Sequence, residues 1–222
     1  MSGRGTRSWI SVVGAALAAS ALLRGPSARA AEPVELDFVT HASFFSQETK
    51  QPSPLDPQVF VSDGAAPAAV GFQGIEHVAG FRPLLLSDPA DTNLSSAKGK
   101  PLGFMAGKWL GATGHVTITA DPNGGAQIVA SFRGLKPGGT YSLFENHFDT
   151  HPVSFTPLDG RGARNSFKAK RDGSASVSVR SPEMPTSVNA VLLVYHSDGK
   201  SHGESRGQIG VNAHHQLIAK VP

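Results

Sequence analysis

The chain has 222 residues, 17% of them charged, no cysteine and a formal net charge of +3 at pH 7. Without cysteine there are no disulfides, thiolate nucleophiles, cysteine-type zinc sites or blue-copper sites. Four of the 20 basic residues (Arg4, Arg7, Arg24 and Arg29) and none of the 17 acidic ones fall within residues 1–31, so the remainder is near neutral, with one acidic residue in excess. The basic balance is therefore no argument for a nucleic-acid partner.

Residues 1–31 carry the features of a secretory signal peptide. Arg4 and Arg7 form a positive start, Trp9 to Leu23 an apolar core, and Ala28-Arg29-Ala30 a small-x-small cleavage pattern. The apolar run of about 15 residues is short of the roughly 20 needed to span a bilayer. The expectation is an exported protein, periplasmic or secreted, with no membrane span after cleavage. About 190 residues would remain, enough to bury a core without disulfides.

Residues 32–100 read as an irregular N-terminal segment with short strands. Val34 to Val39 alternates as a half-buried strand. Gln47 to Pro57 holds three prolines and reads as a loop, Val59-Phe60-Val61 as a short strand, and Asp88 to Lys100 as a polar connector. Two arrangements stay open for this segment, an extra layer packed on the main domain or a semi-independent unit.

Residues 101–222 have the sharper pattern. Phe104 to Leu110 suits a helical turn, and His115 to Thr119 a β-branched strand. Asp121-Pro122-Asn123-Gly124-Gly125 is a hairpin turn, because Asn-Gly tolerates the positive φ that tight turns need. Ala126–Phe132 returns as its partner strand. Leu135–Gly139 is a second turn, and Thr140–Glu145 the next strand. Strands follow at Asn165–Ala169, Ser174–Val179, Val191–Tyr195 and Gln216–Ala219. Seven or eight strands at this spacing predict an all-β, two-sheet Greek-key sandwich of the immunoglobulin or superoxide-dismutase kind. The basic cluster of Arg161, Arg164, Lys168, Lys170 and Arg171 reads as a solvated strand edge.

Two resemblances attach to these residues. Ile128 to Tyr141 (IVASFRGLKPGGTY) and Leu192 to Gly203 (LLVYHSDGKSHG) resemble strands of the copper/zinc superoxide dismutases. That resemblance implies the sandwich and places His196 as a copper ligand. The strand Tyr141-Ser142-Leu143-Phe144-Glu145 lacks the His-x-His pair of those enzymes. From about residue 101 to 217, the order of "PGGTYSLF", "PLDG", "LLVYHSDG.SHG" and "G....H.QL" resembles a family of exported bacterial proteins with no established function. It implies fold and location, and no activity.

Four of nine histidines lie between His196 and His215. His147, His151, His196 and His202 are the candidate metal ligands, for copper or zinc, since imidazole with a nearby carboxylate suits both. Tyr195, Asp198 and Trp109 are the candidate ligand-contacting residues, with core roles as the alternative for the two aromatics. His214 and His215 would point to opposite faces of a strand. His41, His77 and His115 read as isolated. No Gly-x-Ser-x-Gly elbow, P-loop or dinucleotide fingerprint is present, so no catalytic residue is assigned. The expectation is a non-enzymatic binding or accessory protein for a small ligand or protein, with metal or redox chemistry at the histidines as the alternative.

Overall fold

The computed structural model describes residues 32–222. The expected signal peptide lies outside the described residues. In chain order the elements are β1 (Val34–Asp37), β2 (Val39–Thr40), α1 (His41–Glu48), β3 (Leu55–Ser62), β4 (Ala69–Val70), β5 (Glu76–His77), β6 (Phe81–Leu85), β7 (Asn93–Ser95) and β8 (Pro101–Met105). There follow α2 (Ala106–Leu110), β9 (Thr113–Ala120), β10 (Ala126–Arg133), β11 (Thr140–His147), β12 (Ser154–Pro157), β13 (Ser166–Lys168), β14 (Ala175–Ser181), β15 (Asn189–His196) and β16 (Ala213–Lys220). Among the described residues no helix is long and apolar enough to cross a membrane.

Two antiparallel sheets form a Greek-key sandwich. Sheet A has the order β1-β9-β10-β14. Sheet B has the order β12-β11-β15-β16-β2, with β13 also pairing β11. After the β9–β10 hairpin the chain crosses to sheet B as β11. It returns to sheet A as β14, beside β10, and crosses back as β15, beside β11. Such crossings are what make a Greek key.

The hairpin forms where Asp121–Gly125 predicts it. Asp121 Oδ1 accepts from Asn123 N at 2.8 Å, and the positive φ angles fall on Gly124 (95°) and Gly125 (78°). Gly125 is needed for space as well as for φ: a Cβ there would stand 2.2 Å from Ser181 O of β14.

β10 shows why sheet A has one dry face. Ala126, Ile128, Ala130 and Phe132 are buried, while the residues between them are not. Those side chains meet Tyr141, Leu143, Leu193 and Leu217 of sheet B in one apolar cluster, the expected interior of a sandwich. The central strands of sheet B, β11, β15 and β16, are in contrast buried on both faces. β15 is buried from Asn189 to His196 without a break. Its outer-face residues Ala190, Leu192 and Val194 form a second cluster, packed by Phe44, Phe148, Phe155 and Ile209.

Residues 32–100 contribute to this cover. β1 pairs β9, and β2 pairs β16. β6-β3-β7-β8 form a third sheet whose Val59, Val61, Leu84 and Leu94 belong to the main core. The proline-containing stretch expected as loop up to Pro57 already enters β3 at Leu55. α1 begins at a Thr40 cap that accepts from Ser43 N. Its Ser46 hydroxyl both accepts from Leu55 N and donates to Leu55 O, which ties the helix to β3.

Candidate functional site

The register of β11 and β15 separates the four histidines proposed as metal ligands. His147 stands opposite Asn189, and His196 opposite Thr140. Seven residue steps of strand separate these points, about 23 Å at about 3.3 Å per step. The imidazoles of His147 and His196 therefore do not share one metal ion. His147 is bonded locally, through Nε2 to Thr156 Oγ1 at 2.8 Å and Nδ1 to Asn189 Nδ2 at 3.1 Å. His151 is exposed in the following loop. Among the described residues no group of three or more His, Asp or Glu side chains is arranged to hold a metal.

His196 and His202 do meet, with ring centroids 5.2 Å apart. His196 Nε2 is 2.8 Å from the Ser142 hydroxyl, which begins a chain of hydroxyls through Ser166 at 2.7 Å to Ser201 at 2.8 Å. His196 Nδ1 has no hydrogen-bond partner. His202 Nε2 is 3.1 Å from Asp198 Oδ2, within ion-pair distance but off the hydrogen-bonding direction. Burial first, and then the neighbouring His202, pushes His196 down to about 4, so the ring is neutral at pH 7.

The two aromatic candidates are core residues. Trp109 is 1% exposed and donates from Nε1 to Asp56 Oδ2 at 2.8 Å. Burial pushes the Asp56 carboxyl up to about 6, although this donor and the N–H groups of Gln58 and Val59 oppose the shift. Tyr195 packs edge-on to Phe104 and Trp109, and its hydroxyl lies 3.0 Å from Lys136 Nζ. Asp198 holds its own loop, accepting from Lys200 N and Asn212 Nδ2.

A second imidazole cluster sits on the outer face of sheet B, where sequence reasoning left His41 isolated. A bulge between Leu193 and Val194 sets Val194 opposite His215, so His214 and His215 take opposite faces. His214 turns inward, with Nδ1 donating to Gln58 O at 2.9 Å and Nε2 3.2 Å from the Ser197 hydroxyl. His215 turns outward. Its Nδ1 is 3.4 Å from His41 Nε2, and its Nε2 accepts from Arg206 Nη1 at 3.0 Å. Gln58 Oε1 accepts from His215 N at 2.7 Å. Burial pushes His41 down to about 3 and His214 to about 4, and holds His215 well below the usual range. The cluster is thus a set of neutral rings beside one guanidinium. The available sequence signal was the adjacent pair His214-His215; its partners His41 and Gln58 lie more than 150 residues away in the chain.

The Ser197–His214 contact resembles a nucleophile and its base, but the surroundings do not suit acyl transfer. The group orienting His214 is a backbone carbonyl, and Ser197 N donates to Asn212 O, so it is not free to stabilise an oxyanion.

Beside His41 and His215 opens a cleft of about 250 Å³ between α1, β11 and residues 148–155. Two buried polar atoms in its lining, His41 Nδ1 and Asn146 Oδ1, have no partner. A roomier cleft of about 480 Å³ lies by Lys136. There the lysine already donates to Leu102 O and to the Tyr195 hydroxyl, so its charge is met within the protein.

No family model matches the chain, and neither does a curated protein or a solved structure.

Proposed function

We propose that the protein is an exported, non-enzymatic β-sandwich that binds a small ligand on the covered face of sheet B. The observation that carries this reading is that two residues lining one half-open cleft, His41 and Asn146, each hold a buried polar atom without a partner, Nδ1 and Oδ1. Native interiors rarely leave such groups without a partner, and a bound molecule is a common one. Export is supported by the signal-type composition of residues 1–31. The neutral, mutually bonded histidines favour binding over proton transfer, since their protons are not exchanged near pH 7.

Protein-observed NMR with a chemically diverse fragment set tests the binding function. The expected result is saturable binding that shifts residues of α1 and β11; a set in which nothing binds anywhere would discard it. Export is tested by the N-terminal sequence of the chain recovered from a periplasmic fraction, which is expected to begin after Ala30 or Ala31.

A second reading is a metal site reduced to His196 and His202, favoured by their facing rings and two unmet nitrogens. One equivalent of zinc or copper retained through dialysis, and lost in a His196→Ala/His202→Ala variant, would support it. No retention would remove it.

A further inference from the structure

We infer that the cleft between α1 and the outer face of sheet B is a binding site for one small, neutral aromatic molecule carrying a hydrogen-bond acceptor and a donor, as an aromatic carboxamide or lactam does. This rests on the ligand-binding reading above, and it adds the place and the chemical class.

The walls are aromatic. Phe44 and Phe45 come from α1, and Phe148 and Phe155 from the segment that follows β11. Phe44 and Phe148 close one side, with centroids 5.8 Å apart. Phe155 is held from behind by Arg206, whose guanidinium carbon is 3.2 Å from the ring centroid. Such walls favour a flat, apolar body by stacking and edge contacts. The volume of about 250 Å³ lies just below the roughly 300–1,000 Å³ of drug-sized ligand sites. That is room for a single substituted ring.

The polar demand is specific. His41 and Asn146 are 5% and 4% exposed, and both line the cleft. An arginine only donates, so His215 Nε2 accepts from Arg206 and the hydrogen of that neutral ring lies on Nδ1. His215 Nδ1 then faces His41 Nε2 as donor to acceptor. The hydrogen of His41 consequently lies on Nδ1, the atom without a partner. Gln58 Nε2, which donates to Gln73 Oε1, also stands 3.0 Å from His215 Nδ1; the charged donor at Nε2 decides the tautomer. Two side chains of the lining thus carry one unmet N–H, at His41, and one unmet carbonyl oxygen, at Asn146, both beneath the water-accessible surface, so a ligand reaches them through a small turn of either side chain. A ligand with one acceptor and one donor answers both.

Neither sign of charge is favoured, because Glu48 and Arg206 carry opposite charges and each opposes one kind of ion. An anion would meet the exposed Glu48 carboxylate in the same lining. A cation would meet the His41 N–H and the Arg206 guanidinium behind Phe155. Burial keeps His41 and His215 uncharged, which leaves no counter-ion on the floor.

Three probes of one shape separate these cases. Benzamide, benzoate and benzylammonium are titrated into the full chain at pH 7, following the side-chain NMR signals of His41 and Asn146. Benzamide is expected to saturate, with shifts confined to α1 and residues 144–155, at least about tenfold more tightly than either ion, the size of one well-made hydrogen bond or charge mismatch. Asn146→Leu keeps the branched shape and removes the acceptor, and should weaken benzamide about tenfold. Phe148→Trp fills the cleft and should abolish binding. Should Asn146→Leu fail to fold by circular dichroism, Phe148→Trp decides alone. Ions that bind as tightly as the amide overturn the inference, as does benzamide binding unchanged in the folded variants. Fragments that bind only near Lys136 overturn it while the ligand-binding reading stands. A chain that binds no fragment anywhere loses both.

Discussion

Sheets A and B are built from similar antiparallel strands, yet they live in different solvents. On sheet A the outer residues of β10, Gln127, Val129, Ser131 and Arg133, reach water. On sheet B, β11 is buried from Thr140 to Asn146, and β15 throughout. The difference arises from what lies over each sheet. α1, residues 148–155 and residues 197–212 lay Phe44, Phe148, Phe155 and Ile209 onto sheet B. Beneath such a layer His41, His196 and His215 stay neutral and dry, and His41 Nδ1, Asn146 Oδ1 and His196 Nδ1 go unmet. The covered sheet is where a protein of this architecture has something to offer a ligand.

The largest effect that would break this contrast is acid sensitivity. His41, His196, His214 and His215 all lie on sheet B or its cover, and all have lowered folded-state values. The unfolded chain takes up these four protons below the ordinary value of about 6.5, and the folded chain does not, so this stability is present above pH 6.5 and is lost as pH falls. Asp56 and Glu145, pushed up to about 6 and about 7, act the other way by binding protons when folded. Four against two leaves about two protons, a slope of about 2.7 kcal/mol per pH unit. We expect urea denaturation to show a loss of about 5 kcal/mol between pH 6.5 and 4.5. Stability that rises on acidification would mean that the histidines are not buried as described.

The next effect is mechanical. Leu192 is fully buried on the outer face of sheet B, and Leu192→Ala should cost about 3 kcal/mol. Val129 on the outer face of sheet A is 43% exposed, and Val129→Ala should stay within about 0.5 kcal/mol. Equal losses in chemical denaturation would abolish the distinction.

A smaller effect is expected at Glu145, on the inner side of β11. Burial, with Glu183 and then Asp149 nearby, raises its carboxyl to about 7. The unfolded side chain ionises from about 4.3, so the folded state loses stability between there and pH 7 and stays lower above it. Glu145→Gln should therefore gain about 2 kcal/mol at pH 8 and nothing at pH 4.5. A gain at both pH values would trace it to packing rather than charge.

The smallest has the opposite sign to most core substitutions. Asn146 Oδ1 is buried without a partner, so Asn146→Leu should stabilise the ligand-free protein by about 1 kcal/mol. A lower melting temperature in that variant would show that Asn146 supports the fold.

Much of the sandwich was legible because its signals are short. The Asp121–Gly125 turn, the alternation of β10 and the apolar run of β15 each act over a few residues. α1 was not legible: His41-Ala42-Ser43-Phe44-Phe45-Ser46-Gln47-Glu48 has little apolar periodicity, and it is helical because Thr40 caps it and sheet B needs a cover. The second half of β3 was read as the strand Val59-Phe60-Val61, while its first half was obscured by Pro54 and Pro57, which read as loop. At the site, His196 and His202 were legible as neighbours because one loop carries both. His147 was not separable from them in one dimension, although the strand pair holds it at the far end.

The amino-acid sequence alone determined where most strands and turns of residues 101–222 run, since backbone dihedral preferences and side-chain alternation are local steric properties. It also settled that thiol and disulfide chemistry are absent. Tertiary structure decided which face of which sheet is dry, and with it which histidines are neutral and which polar atoms lack partners. Those properties depend on what packs above a residue. For His215 the neighbours are His41 and Gln58, 174 and 157 residues away, a distance over which local propensity carries no information.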